Sequence, residues 1–274
     1  MSSEREATAL RHSVAWTRSD HIHSVRLEGP GAFDALDRIC PLELYLRNGQ
    51  MLLTVFLDTE GRIIADVLVS NDDDEFILSV EGMDDAALME FLREHTQGTD
   101  TQIVGLDDSH AIISLNGPYA WEVLSELAGA TLIGLPYMTF YHAGSWVVMR
   151  SGKTGEYGYD ILLPAGEVPG LLASLESLQA KFEIFEVGLD ALDQCSLENC
   201  FFSIRREGAV TRDPRQLQLQ WRVSSRKQFV GSEALARTAD QPVTHRTTTL
   251  ISTEAVEVGD EVFLDGEVVG RVAN

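Results

Sequence analysis

Lysine is scarce in this chain: Lys153, Lys181 and Lys227 are the whole supply, and every other fixed positive charge is an arginine. Cysteine is scarcer in effect. Cys40, Cys195 and Cys200 are scattered and form no C-x-x-C pair, so no disulfide framework is expected. Such thiols fit a reducing cytoplasm, where they serve as small apolar groups. No stretch reaches the roughly 20 apolar residues of a membrane span. The opening Met1-Ser2-Ser3-Glu4-Arg5-Glu6 lacks the basic head and apolar run of a secretory signal. Among the histidines only His21-x-His23 has a spacing of interest, and alternate strand positions produce that, so no metal is expected.

What is present is acid. The 274 residues are 44% hydrophobic and 8% aromatic, enough for a real core, yet the formal net charge is −22. That composition excludes a disordered acidic tail. The charge repels phosphates, which excludes general binding to nucleic acid or to anionic membranes. A halophilic surface would explain it; so would a GC-rich genome whose codons favour arginine, which is the plainer reading.

Strand signals fall at His23–Leu27, Met51–Leu57, Ile63–Ser70, Glu75–Val80, Ala111–Leu115, Ser145–Arg150 and Tyr159–Leu163. Helical patterns lie between them. Gly31–Ile39 would bury Phe33, Leu36 and Ile39, and Asp84–His95 would bury Leu88, Met89, Phe91 and Leu92. Tyr119–Ala128, Val168–Gln179 and Gly188–Cys200 read as helices too. Without regular β-α alternation the expected class is α+β. After about Val243 helical periodicity stops. Thr247–Ser252, Glu261–Leu264 and Val268–Val272 read as short strands, the last two joined by a hairpin turn at Asp265-Gly266. The expected division is a core over 1–242, made of two interlocked subdomains, and a partial β-barrel module over 243–274 that is still running where the sequence stops.

Two segments carry chemistry. In Gly61-Arg62-Ile63-Ile64-Ala65-Asp66-Val67-Leu68-Val69, a two-residue period puts Asp66 on one face with apolar Ile64 and Leu68. A carboxylate there costs several kcal/mol unless it is paired or used, which makes Asp66 a candidate base or orienting group for a nitrogen. Gly152-Lys153-Thr154-Gly155-Glu156-Tyr157-Gly158-Tyr159-Asp160 is a glycine-rich loop entering a strand. It is either a plain hairpin or a place where backbone approaches a ligand closely. No helix follows, so it does not cradle phosphate.

Together these segments resemble the aminomethyltransferase family, typified by the T-protein of the glycine cleavage system. Gly61–Val69 is similar to the family's G-G-[IV]-[IV]-D-D-L-[IL]-V strand, and Leu115–Leu124 to L-x-G-P-x-A-x-x-V-L. Thr154–Ile161 matches T-G-E-x-G-[FY]-E-[IL], Gly188–Glu198 follows G-L-G-A-R-D-x-L-R-L-E, and Lys227–Leu235 is similar to K-x-D-F-[IV]-G-x-E-A-L, one residue shorter ahead of Phe229. The resemblance implies interlocked α+β domains, a C-terminal β-barrel and a central channel for tetrahydrofolate. It implies transfer of a one-carbon unit from a small amine or ether donor to that folate. Asp66 takes the place of the family's acid near the accepting nitrogen, while Asp160 takes that of the glutamate reading the pterin edge, with Glu156 and Tyr157 shaping the loop.

Several matched positions depart from the family pattern. Leu53 and Lys153 replace tyrosines, Glu81 replaces an asparagine, and Leu192 and Ser196 replace arginines. Losing stacking and charge-assisted bonds weakens a pterin grip, so the pocket is either re-cut for another small acid or compensated elsewhere. One compensation is a basic island: Arg205, Arg206, Arg212, Arg215, Arg222, Arg226 and Lys227 lie between Ile204 and Gly231. It is either an anchor for an acidic ligand, such as a folate tail, or a set of cations paired with the acidic remainder. An acidic lipoyl carrier would be repelled by this protein, which argues against such a partner. An open barrel edge near Val268–Val272 would invite a homodimer.

Overall fold

The computed structural model describes residues 3–273, the side chains of residues 3 and 4 apart. In chain order the elements are α1 (Ser3–His12), β1 (Val14–Arg18), β2 (Ile22–Glu28), α2 (Ala32–Ile39), β3 (Met51–Leu57), β4 (Ile63–Asp72), β5 (Glu75–Glu81), α3 (Asp85–His95) and β6 (Gln102–Gly105). There follow β7 (His110–Asn116), α4 (Ala120–Ala128), β8 (Phe140–Ala143), β9 (Trp146–Met149), β10 (Gly158–Pro164), α5 (Val168–Leu178) and β11 (Ile184–Glu186). The chain ends with α6 (Leu189–Glu198), α7 (Glu207–Val210), α8 (Ser232–Thr238), β12 (Glu261–Leu264) and β13 (Glu267–Arg271). The class is α+β, as expected.

Two sheets organise the fold, one ordered β3-β4-β5-β2-β6 and the other β11-β1-β7-β10-β9-β8. Strand periodicity explains the layers. On β4, Ala65, Val67 and Val69 face away from the second sheet and pack with Leu36 and Ile39 of α2 and Leu88 and Leu92 of α3. On β7 and β10, Ile113, Leu115, Tyr159 and Ile161 pack outward against Val123 and Leu124 of α4 and Leu171 and Leu175 of α5. The remaining faces meet: Met51, Leu68 and Ile77 of one sheet form a single cluster with Ile112, Phe140, Val147, Met149 and Leu162 of the other. The result is helix, sheet, sheet, helix, with apolar cores in all three gaps.

Local signals account for the helix ends. Asp84 caps α3, its side chain accepting from the Ala87 N–H at 2.8 Å. The expected α2 face is corrected: Ala32, Ala35, Leu36 and Ile39 are buried, and Phe33 is half exposed. One residue of phase along a helix is a 100° rotation, enough to turn Phe33 outward.

The C-terminal module is a lone hairpin, and among the described residues no barrel closes. Its turn is as expected, with Asp265 at φ 53° and Gly266 at φ 85°, the left-handed pair that a tight hairpin needs. Thr247–Ser252 is corrected, since no strand forms there. Thr247 is instead tied to the Gln216 carbonyl at 2.8 Å, and Ile251 is fully exposed. No helix is long and apolar enough to cross a membrane.

Candidate active site

At one end of the gap between the sheets the apolar packing gives way to charge. Asp66 points into this gap from the middle of β4 and is 3% exposed. Its Oδ2 accepts from Lys153 Nζ at 2.6 Å, and its Oδ1 from Arg222 Nη1 at 2.7 Å. Lys153 comes from the loop between β9 and β10. Arg222 ends a single 3₁₀ turn, Gln220–Arg222, and its guanidinium lies over the Trp221 ring at 4.9 Å. Burial works against the charge on Lys153, but the Asp66 and Glu81 carboxylates outweigh it and its pKa is raised.

Glu81 lies directly across from Asp66 in the β4–β5 register. Its counter-charge is Arg205, whose Nε donates to Glu81 while Nη1 and Nη2 grip Asp193 of α6 at 2.9 and 2.5 Å. Arg206 adds contacts to Asp193 and Asp190 at 3.2 and 2.8 Å. His21 Nε2 stands 4.0 Å from Glu81. Burial is the main force lowering the His21 pKa, opposed by Glu81 and seconded by Arg205.

Asp160 faces the same gap from β10. Ser114 donates to one of its oxygens, Ser151 to the other at 2.5 Å, and Ser19 shares a hydrogen bond with Ser114 at 2.7 Å. Tyr137 feels Lys153, Asp160, Arg222 and Arg150 at once. Burial chiefly raises its pKa, and Asp160 pushes the same way. Arg150 lies over the Tyr157 ring at 4.9 Å.

The structure thus brings together Asp66, Lys153, Arg222, Glu81 and Asp160. Other expected site residues lie elsewhere. Glu156 faces the α1–α6 seam, where it pairs with Arg11 at 3.3 Å, and Arg11 also holds Glu198 and the Thr154 carbonyl, each at 2.6 Å. Leu192 packs in that seam with Leu10 and Val187. Leu53 sits opposite Leu68 in the apolar part of the gap, and Tyr157 is 42% exposed. The loop glycines serve contact within the protein: a Cβ on Gly152 would fall 2.4 Å from Gly158 Cα, and one on Gly155 would fall 2.5 Å from Asn199 Oδ1.

The basic island is paired internally. Beyond Arg205, Arg206 and Arg222, Arg212 donates to the Ile63 carbonyl at 3.1 Å and Arg215 to that of Thr238 at 2.6 Å. Arg226 meets Glu43 at 3.2 Å, and Lys227 meets Asp37. Arg205, Arg206, Arg215, Arg222, Arg226 and Lys227 each meet a carboxylate of the chain, and of the two readings those contacts support neutralisation.

Sequence reasoning missed Ser114, Ser151, Tyr137 and the role of His21. Only Ser114 left a signal, a hydroxyl on the gap-facing side of an apolar strand. Away from the gap, His23, Asp85 and Asp107 bring ligand atoms within 4.8 Å of one another, the spacing that the sequence did not reveal.

A folate would need polar groups inside the gap. Buried there without a partner are the Ser24 and Ser79 hydroxyls, which face each other across β2 and β5, and Arg222 Nε. These orphaned groups fit a polar heterocycle.

A pair of sheets covered by helices on both outer faces, with a buried acid cluster between them, defines the class as an α+β protein with a polar inter-sheet site, and comparison with known proteins narrows it. Residues 1–227 match the GCVT N-terminal domain model. The chain belongs to the aminomethyltransferase family. It is 28% identical to an aminomethyltransferase of Thermotoga petrophila over 98% of this chain and 76% of that protein. It is 27% identical to one of Exiguobacterium sibiricum over 99% and 76%. The crystal structure of the glycine cleavage system aminomethyltransferase T from Bartonella henselae superposes with a TM-score of 0.79 at 25% identity, covering 88% of this chain and 67% of that one.

Proposed function

We propose that the protein transfers a one-carbon unit, of aminomethyl or methyl type, from a small donor to tetrahydrofolate in the cytoplasm. The observation that carries this is Asp66, buried between the sheets at the position matched to the family's functional acid. Around it the chain supplies Lys153 and Arg222 as donors, Asp160 as acceptor, and the unpartnered hydroxyls of Ser24 and Ser79. When bound, the folate supplies the nucleophilic nitrogen. The residues of this chain hold it, orient it and keep water from the reactive carbon, which would otherwise be hydrolysed.

Isothermal calorimetry with tetrahydrofolate tests the reading. Saturable binding followed by transfer from an aminomethyl donor is expected, and no heat at millimolar folate would discard it.

A second reading has its own support. Both Asp66 oxygens are occupied by cations, and two serines draw Asp160 back toward its own sheet. That arrangement suits a repurposed member that binds another small acid without transfer. Folate binding without any turnover would favour it.

Partners follow from charge. A protein of net charge −22 whose basic island is neutralised repels an acidic lipoyl carrier, so a free small-molecule donor is the better fit. The open edge of the β12–β13 hairpin, with Phe263 and Val268 more than half exposed, is where a second copy would pair. A monomer in light scattering at high micromolar concentration would discard that pairing.

A further inference from the structure

We infer that Lys153 is a catalytic residue, the side chain that meets the reacting atoms and carries one proton from the accepting nitrogen to the departing group. This rests on the transferase reading. Within the central ionic cluster, Asp66 and Arg222 are shut away, with side-chain exposures of 2% and 3%, whereas Lys153 keeps 29% of its side chain open. Both Asp66 oxygens are taken by cations, and of these three side chains Lys153 is the one that keeps surface open to an entering molecule.

The loop that presents Lys153 is fixed on both flanks. Gly152 N–H bonds the Gly158 carbonyl at 3.2 Å, and the Thr154 carbonyl accepts from Arg11 at 2.6 Å and from Asn199 at 2.9 Å. A flexible lysine stem is thereby anchored at its base and, through Asp66, at its tip. Pre-positioning of this kind is what proton transfer in a transition state requires.

The step balances with the groups named. The lone pair of the accepting N–H nitrogen forms a bond to the donor carbon as the bond from that carbon to the leaving atom X breaks. X departs with the electron pair and takes a proton from the Lys153 ammonium. The newly bonded nitrogen, now positive, returns its proton to the neutral Lys153 amine. One N–H and one C–X bond are lost, one N–C and one X–H bond are gained, and lysine ends as it began. Asp66 and Arg222 are positioning residues in this scheme: they hold the amine in place, and Asp66 restores its affinity for the proton.

Having only Lys153, Lys181 and Lys227 makes the test direct. In protein labelled with carbon-13 at lysine Cε, tetrahydrofolate is expected to move the Lys153 resonance and leave the other two in place. Lys153→Arg keeps the charge, but a guanidinium gives up a proton far less readily than an ammonium. It is expected to retain saturable folate binding, weakened far less than turnover, while transfer from an aminomethyl thioether falls at least ~100-fold, the usual scale of general acid catalysis. That loss should grow as the departing thiol becomes less acidic. Transfer by Lys153→Arg at the unaltered rate would overturn the inference. So would a Lys153 resonance indifferent to folate that calorimetry shows to be bound. If the unaltered protein neither binds folate nor transfers to it, the transferase reading fails first and this inference falls with it.

Discussion

Asp66 and Glu81 sit directly across from one another on β4 and β5, and each carboxylate is met by cations from a different part of the chain. Lys153 and Arg222 serve Asp66; Arg205 serves Glu81 and ties it to Asp193 of α6. Like charges facing each other across a strand pair destabilise a sheet unless such partners are present. The glycine-rich loop, the irregular segment after α6 and the α6 helix itself are therefore fastened electrostatically to the centre of one sheet. Fold and candidate site share the same contacts.

Removing the central charge should show this. Asp66→Asn leaves Arg222, 3% exposed, without its counter-ion. A loss of about 3 kcal/mol or more in unfolding free energy is expected from urea denaturation, the scale for breaking one side of a buried pair. Adding Arg222→Met, which removes the stranded charge at similar volume, should recover part of that loss. A double-mutant cycle with no coupling would contradict the pairing.

How much of this was legible beforehand depends on range. Asp66 stood out because a two-residue period puts it on one face with Leu68, which does lie between the sheets; Ile64, read onto the same face, packs instead with the helix-side cluster, next to the β3–β4 register shift. Asp265-Gly266 likewise announced its turn. The partners of Asp66 were not legible as partners: Lys153 is 87 residues away and Arg222 156, and no periodicity links them. Arg222 read as one of seven cations that could anchor an acidic ligand, and Glu156, inside the Thr154–Ile161 motif, serves a helix seam. Short strands such as β6, β8 and β11 and the polar helix α1 have too little apolar pattern to be seen. Thr247–Ser252 had the pattern but found no neighbouring strand to pair with.

Gly152→Ala tests the tight crossing at the base of the loop. The added Cβ would lie 2.4 Å from Gly158 Cα, a backbone atom that cannot rotate aside. Overpacking of that kind costs roughly 1 to 3 kcal/mol, so a clearly lowered Tm is expected in differential scanning calorimetry. Gly166→Ala, where nothing lies within 4 Å, is the control and should leave Tm nearly unchanged.

His21 gives the acid side of the stability profile a sign. Its pKa is lowered in the folded protein, chiefly by burial, so the unfolded chain takes up a proton that the native state resists. Stability then rises with pH wherever the unfolded state binds more protons. The contribution is intact above the ordinary imidazole value near 6.5 and is lost as pH falls below it. His21→Gln removes the titrating group, and its urea midpoint should depend less steeply on pH between about 5 and 7 than that of the unaltered protein. Equal slopes would show that the imidazole titrates alike in both states.

Salt should stabilise the whole molecule. Six of the seven cations of the basic island are paired with carboxylates of the chain, and the remaining surface carries most of a −22 charge. Self-repulsion on that scale acts over the Debye length, which shrinks from about 10 Å at 0.1 M salt to about 3 Å at 1 M. The central pairs are too close and too buried to be screened equally, so repulsion is lost faster than attraction. Tm should therefore climb steadily in potassium chloride across that range. The gain should shrink in a variant with several exposed acids changed to lysine, for instance at Asp74, Glu90 and Glu94. A Tm that falls with salt would mean that surface attraction, not repulsion, dominates this protein.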